Sequence, residues 1–205
     1  MNFWDRLETI AAQKDVLRHP FYVRWTEGKL NRDELADYSG QYRHAVVALA
    51  GAAAAAARSP EAGTDARALA AHGREEADHI ALWDRFVAQV GGDSAACANR
   101  ETRACAEAWA GDTSRPLLHT LTAMYAIESA QPAISRTKLS GLAEYYGIGS
   151  SPYFELHEQL DIEHAAQTRE LIEKRLATAD QDALLRTAAA VLNANWALLD
   201  GIDAT

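Results

Sequence analysis

The chain has 205 residues, of which 48% are hydrophobic, and a formal charge of −9 with a pI near 5.2. That length and apolar content suit a single domain, residues 1–205, with a sizeable core. The acidic balance argues against nucleic acid or an anionic membrane as partner and favours a soluble protein with a small-molecule ligand. Cys97 and Cys105 are too few for a disulfide framework and read as reduced thiols of a cytoplasmic protein. The N-terminal MNFWDRLETI places charges where a signal peptide would be apolar, and no run of 18 apolar residues exists.

In chain order, an amphipathic helix is predicted from Phe3 to Arg18 and is stopped at His19-Pro20, because a residue before proline avoids the helical region. A short helix over Phe21–Glu27 ends at Gly28. Asn31 caps the next, with Glu34 completing a capping box, and this helix runs through Tyr38 and Tyr42 to Ala57. Its Ala-rich second half, AVVALAGAAAAAA, reads as a core helix whose small side chains let neighbours approach. Further helices are expected over Glu61–Val90, Ala95–Ala110 and Pro116–Gln131. The next resumes after Pro132 through Lys138 to Tyr146, and two more follow, to Ala177 after a Ser150 or Ser151 cap and Pro152, and over Asp180–Leu199. No strand-like alternation appears, so the chain is predicted to be an all-α bundle.

Within YFELHEQLDIEHAAQTREL, His157, Asp161 and His164 stand at i, i+4 and i+7, which puts them on one helix face. Two imidazoles and a carboxylate suit a divalent transition metal, and the carboxylate favours iron or manganese over structural zinc. In HGREEADHIALW, Glu76 and His79 are at i and i+3; Glu75 is an alternative partner, although Glu75 and Asp78 fit a solvated charged face. Glu128, in AMYAIESAQP, is a lone acid in an apolar stretch, where burial requires pairing or a metal. Pro132 cannot donate to the Glu128 carbonyl, so the helix is expected to open there and make room for a ligand. Glu76, His79, Glu128, His157, Asp161 and His164 then form a set from three helices able to hold two metals, with Glu128 placed to bridge. Trp25, Trp83, Trp109 and Trp196 read as core, and Arg43, His44 and Tyr125 as candidate pocket residues.

With those residues assembled, the sequence resembles the haem-oxygenase-like di-iron oxidases, and among them the branch of the Chlamydia protein associating with death domains and its bacterial relatives, which make 4-aminobenzoate. The resemblance rests on MNFWDRL, HPFYVRWTEGKL, HIALWDRF, YAIESAQPAISRTKLSGLAEYYG and YFELHEQLDIEHA. The HPFY and EGKL segments are shared with metal-free members of the fold, including thiaminase-like and PqqC-type proteins. The resemblance implies a seven-helix bundle around two iron ions, or manganese with iron, using dioxygen and an external reductant, with a homodimer as a common assembly. It also implies that Tyr22 is consumed as the source of the aromatic ring, that Tyr38 relays an electron and that Lys138 donates the amine. Two departures stand out. That branch has a longer spacing between its helix acid and His than the ExxH here, which leaves Glu75 and Glu76 open as ligands. Ile127 occupies the place of a tyrosine before the lone Glu. The alternative use of the same metals is oxidation of an external substrate, by amino-acid N-oxygenation, desaturation or fatty-acid decarboxylation. Without metal, the chain would be a thiaminase-like hydrolase or a binding protein, and it has no Cys in the segment where that hydrolase needs one.

Overall fold

The computed structural model describes residues 1–112 and 114–203, and among these every regular element is helical. The α-helices are α1 (Phe3–Gln13), α2 (Pro20–Thr26), α3 (Arg32–Arg58), α4 (Ala66–Val90), α5 (Arg100–Ala110), α6 (Leu117–Glu128), α7 (Gln131–Tyr145), α8 (Pro152–Leu176) and α9 (Gln181–Asp203). The resemblance implied seven helices and the described residues contain nine. The short α2 stands as a helix of its own, and α6 and α7 are separate segments.

Most starts follow local chemistry. Asn31 caps α3 through Asp33 and Glu34 N–H, and the Glu34 carboxylate returns to Asn31 N–H at 2.8 Å, closing the expected capping box. Asn2 and Asp5 form the same device on α1. At α8 the cap differs from expectation: no serine side chain bonds the first turn. Glu155 instead turns back to accept from Ser150 Oγ at 2.7 Å and from Ser151 N–H at 3.2 Å. Four predicted helices are shorter than their pattern suggested: α5 starts at Arg100 rather than Ala95, α6 ends at Glu128 rather than Gln131, and 3₁₀ turns take the end of the first helix and the start of α4. Val16–Arg18 and Pro60–Asp65 are 3₁₀ turns, the second because Gly63 sits at φ 51° and breaks the α ladder ahead of α4.

The core is organised by α3, which packs on α4, α5, α6 and α9. Its alanine run does what small side chains allow. A Cβ added at Gly73 of α4 would come within 3.2 Å of the Ala54 nitrogen and 3.3 Å of the Ala53 carbonyl, so the α3 and α4 backbones are in near contact there. That approach draws the middle of α4 into the bundle, where α6 and α8 complete the walls. Trp25, Trp83 and Trp109 are fully buried as expected, with Trp83 Nε1 donating to the Ser39 carbonyl and Trp109 Nε1 to Val191. Trp196 is only half-buried, at the edge of the core beside His19.

α6 ends at Glu128 and α7 begins at Gln131, with Pro132 in its first turn. The expected opening beside Glu128 therefore exists, at Ser129–Ala130, one turn earlier than the proline itself. This is the place where proline is tolerated, since its missing N–H is one a helix start leaves unused.

Candidate metal centre

Helices α4, α6 and α8 each turn a polar stripe into the bundle. Seven side chains that could ligate a metal meet there: His72, Glu76 and His79 from α4, Glu128 from α6, and His157, Asp161 and His164 from α8. None is more than 7% exposed. All six of the metal residues expected from sequence converge, and His72 joins them.

The atoms fall into two groups, each close enough for one ion. His72, Glu76, Glu128 and His164 form one, and Glu76, His79 and His157 the other, with the ligating atoms of each group within 4.8 Å of one another. Glu76 is common to both. Glu76, rather than Glu128, thus takes the position between the two groups. Asp161 lies beside the first, 3.7 Å from His164 Nδ1, with both carboxylate oxygens unpartnered. Glu76 Oε1 stands 3.2 Å from His79 Nδ1 and 3.7 Å from His164 Nδ1, and Glu128 Oε1 is 3.1 Å from His72 Nε2.

What distinguishes these groups from a satisfied polar core is the state of their inward atoms. His72 Nε2, Glu76 Oε1, His79 Nδ1, both Glu128 oxygens, His157 Nε2 and His164 Nδ1 are buried without a hydrogen bond. Buried polar atoms are nearly always paired, and each one left alone costs about 1–3 kcal/mol. One cation in each group would give all of them a partner at once. The outward atoms, in contrast, are held. His157 Nδ1–H donates to the Tyr153 carbonyl at 2.6 Å, and His164 Nε2–H donates to Glu75 at 3.0 Å. This fixes the ring orientations and leaves the opposite nitrogens free to ligate, as metal-bound imidazoles require. It also separates the two acids left open by the sequence: Glu76 is in the centre, and half-exposed Glu75 orients His164 from outside.

The electrostatics follow from packing acids and imidazoles together without water. Burial pushes the Glu128 carboxyl up, with Glu76 and Asp161 adding to it and His72 opposing. Burial also raises Glu76, but His79, His157 and His72 outweigh it and hold that carboxyl below its ordinary value. Burial pulls His157 down. It pulls His164 down too, yet Asp161 and Glu75 more than compensate and bring that imidazole up to about 9.

His72 was not anticipated, although a signal for it existed. HGREEADH and HEQLDIEH share one pattern, His-x3-acid-x2-His, so α4 and α8 each present an acid between two imidazoles on a single face. His72 stands seven residues before His79, two turns away, and so supplies a donor at a longer spacing than the ExxH of Glu76.

A second buried cluster adjoins the first. Tyr22 and Tyr38 are nearly inaccessible, their hydroxyls interact, and Lys138 Nζ donates a short hydrogen bond to Tyr38 Oη. The Lys138 Nζ position is lined by the rings of Tyr22, Tyr38, Tyr42, Trp83 and Phe154 at 4.8–5.6 Å, and among the described residues no carboxylate pairs with it. Burial drives its pKa far below that of a surface lysine and drives those of Tyr22 and Tyr38 well up, which favours the uncharged form of all three. Tyr153 joins the clusters: its ring stacks on His157 at 3.9 Å and meets Trp83 edge-on at 4.8 Å. Of the candidate pocket residues, Arg43 is instead tied to Asp84 and Tyr125 packs on Trp4, while His44 bonds the Ala96 carbonyl and lines a separate cavity between α3 and α5.

Residues 69–196, which hold every one of these ligands, match the family described as iron-containing redox enzymes, of haem-oxygenase-like type. The chain belongs to that family. Among curated proteins, this family member is 31% identical to a 4-aminobenzoate synthase of Chlamydia muridarum (strain MoPn / Nigg), over 98% of the chain and 89% of that protein. It is 30% identical to the 4-aminobenzoate synthase of Nitrosomonas europaea, over 98% and 90% respectively. Among solved structures, a TenA homologue from P. horikoshii OT3 superposes with a TM-score of 0.79 at 15% identity, covering 98% of both chains. A domain of unknown function with a heme oxygenase-like fold from Shewanella denitrificans gives 0.77 at 17%, covering 100% of this chain and 93% of the other. At such identities these two likenesses concern the fold alone.

Proposed function

We propose that this redox enzyme holds two iron ions between α4, α6 and α8 and makes 4-aminobenzoate with dioxygen, taking the aromatic ring from its own Tyr22. Manganese with iron would suit the same donors, since the set is imidazole and carboxylate without thiolate. The observation that carries the reading is the sealed cluster of Tyr22, Tyr38 and Lys138 beside an iron-type donor set. A phenol and an uncharged amine, the two groups from which such a product is assembled, are packed where water is excluded. The curated relatives' shared name, 4-aminobenzoate synthase, supports it.

Iron bound to these ligands would supply the activation of dioxygen and the oxidising equivalents, with electrons from an external reductant. The residues of the chain do the rest. His72, Glu128, Asp161 and His164 form one side of the centre, His79 and His157 the other, with Glu76 between them. Tyr38 receives the hydrogen bond of Lys138 and faces the Tyr22 hydroxyl, so a proton leaving either phenol has an uncharged amine to accept it. Tyr38 sits 6.1 Å from Trp83, which lies 4.8 Å from Tyr153, itself stacked on His157. These rings form a contiguous path from the tyrosine pair to His157 that does not pass through Ile127, along which an electron could travel if iron were held there. Lys138 then stands as the source of nitrogen.

Mass spectrometry of the intact protein before and after exposure to ferrous iron, a reductant and dioxygen tests this. Mass changes at the peptides holding Tyr22 and Lys138, together with free 4-aminobenzoate, are expected, and Tyr22→Phe should abolish all of them. Multiple turnovers on an added amino acid or fatty acid with Tyr22 intact would replace self-processing with oxidation of an external substrate.

A further inference from the structure

The break between α6 and α7 opens a cavity on the side of α6 away from the ligand stripe. It has a volume of about 240 Å³ and lies between the end of α1, residues on either side of Ser129, and α9. A cavity of ~150 Å³ already admits a benzene ring. Its floor is apolar, made by Val16, Ile127, Ile134 and Leu192, all buried. Two of its residues, Ile127 and Ser129, flank Glu128 directly.

One polar atom in the wall, the Oδ1 of Asn195, has no hydrogen-bond partner among the described residues. Asn195 is 6% exposed and its Oδ1 accepts no hydrogen bond, while its side chain, like that of Gln131, interacts with the Tyr42 hydroxyl. An acceptor left unpaired in an apolar wall calls for a ligand donor. Tyr42 in turn is one of the rings lining Lys138. At the edge of the cavity, Lys14 is half-buried with its ammonium 5.1 Å over the Trp196 ring, and the neighbouring Asp15 carboxylate is engaged by Leu17 N–H. The lining therefore offers an apolar slot, an acceptor in its wall and a cation at its rim. That combination fits a flat molecule carrying a hydrogen-bond donor at one end and a carboxylate at the other.

We infer that this cavity is the site in which the aromatic amino acid product is held on its way out of the core, its amine on Asn195 Oδ1, its ring between Ile127 and Ile134, and its carboxylate at Lys14. The inference rests on the proposed reaction for the identity of its ligand. A product formed among side chains that are 0–4% exposed needs an outlet, and this break in the bundle wall is one side chain, Tyr42, away from the amine cluster.

The test is titration of 4-aminobenzoate into iron-free protein carrying ¹³C-labelled isoleucine methyls. Saturable shifts at Ile127 and Ile134 are expected, and benzoate, lacking the amine, should bind about tenfold more weakly. Asn195→Leu should weaken 4-aminobenzoate to the level of benzoate, whereas Asn195→Asp, which keeps the acceptor, should not. Ala12→Trp, at an exposed position on the rim that leaves the core untouched, should block both ligands. Unshifted Ile127 and Ile134 methyls at millimolar ligand, or affinity unchanged in both Asn195→Leu and Ala12→Trp, would overturn the assignment. Because no turnover is required, the two readings fail separately: absence of synthesis would sink the proposed reaction even if the cavity bound 4-aminobenzoate, and synthesis without binding would sink the cavity's assignment alone.

Discussion

Lys138 is a costly residue to keep. Unfolded, it is charged below a pH of about 10.4, whereas in the core burial among five rings, with Tyr38 as its hydrogen-bond partner, disfavours that charge. Folding therefore disfavours the protonated amine, and stability contributed at this position rises with pH until the unfolded chain also deprotonates. Lys138→Met, of similar length and wholly apolar, is expected to be more stable than wild type at pH 7 by about 1 kcal/mol or more, since it removes the cost of burying the amine and takes away one hydrogen bond to Tyr38. Thermal melts at pH 7 and pH 9.5 measure this; the advantage should shrink at the higher pH. A lysine retained against that cost is consistent with a chemical role for its amine. The sequence placed Lys138 ten residues after Glu128 without deciding which way it faced, because Pro132 makes the phase of the intervening helix indeterminate. The break at Ser129–Ala130 resets that phase, and only the packed bundle fixes it.

At the scale of the element, α4 and α8 share one arrangement, an acid flanked by imidazoles four residues before and three after. On α8 this was legible at once, because His157, Asp161 and His164 stand in a stretch free of Gly and Pro. On α4 the same pattern was obscured. Gly73 adjoins His72, and the run Arg74–Glu75–Glu76–Ala77–Asp78 looks like a solvated face. Periodicity names the residues that share a face but not which neighbour that face meets. Here Gly73 is what lets α4 approach the Ala53–Ala54 backbone of α3, and His72 is carried inward by that contact. If the α4 pattern is as functional as that of α8, His72→Gln should lower iron content from about two ions per chain to about one, because its group loses an imidazole while the group of His79 and His157 is untouched. Metal analysis of purified protein, with circular dichroism to confirm the helical content, checks this.

For the whole molecule, most of the architecture was readable: an all-α bundle, the order of its helices, and six side chains from three helices meeting inside it. Boundaries drifted where 3₁₀ turns replaced helix ends, at Val16–Arg18 and Pro60–Asp65, since the two helices differ little in local sequence. The latter turn is secured to the far end of α8 by Asp65, which accepts from Arg175 at 2.7 Å and Lys174 at 3.3 Å. Arg175 is the main cause of the Asp65 carboxyl lying below its usual range. A depressed carboxyl contributes stability above the unfolded value near pH 4 and loses it as pH falls through the lower folded value. Asp65→Asn should therefore cost about 0.5–1 kcal/mol at pH 7, a modest sum for a partly solvated pair, and the two proteins should converge in acid-unfolding curves near pH 3.

The centre on which the rest depends is the pair of donor groups joined by Glu76. Anomalous diffraction at the iron edge, from crystals loaded anaerobically with ferrous iron, addresses it directly. The account predicts two peaks separated by the Glu76 carboxylate, one against His79 and His157 and the other against His72, Glu128 and His164. A single peak, no peak, or iron bound away from these residues would contradict it.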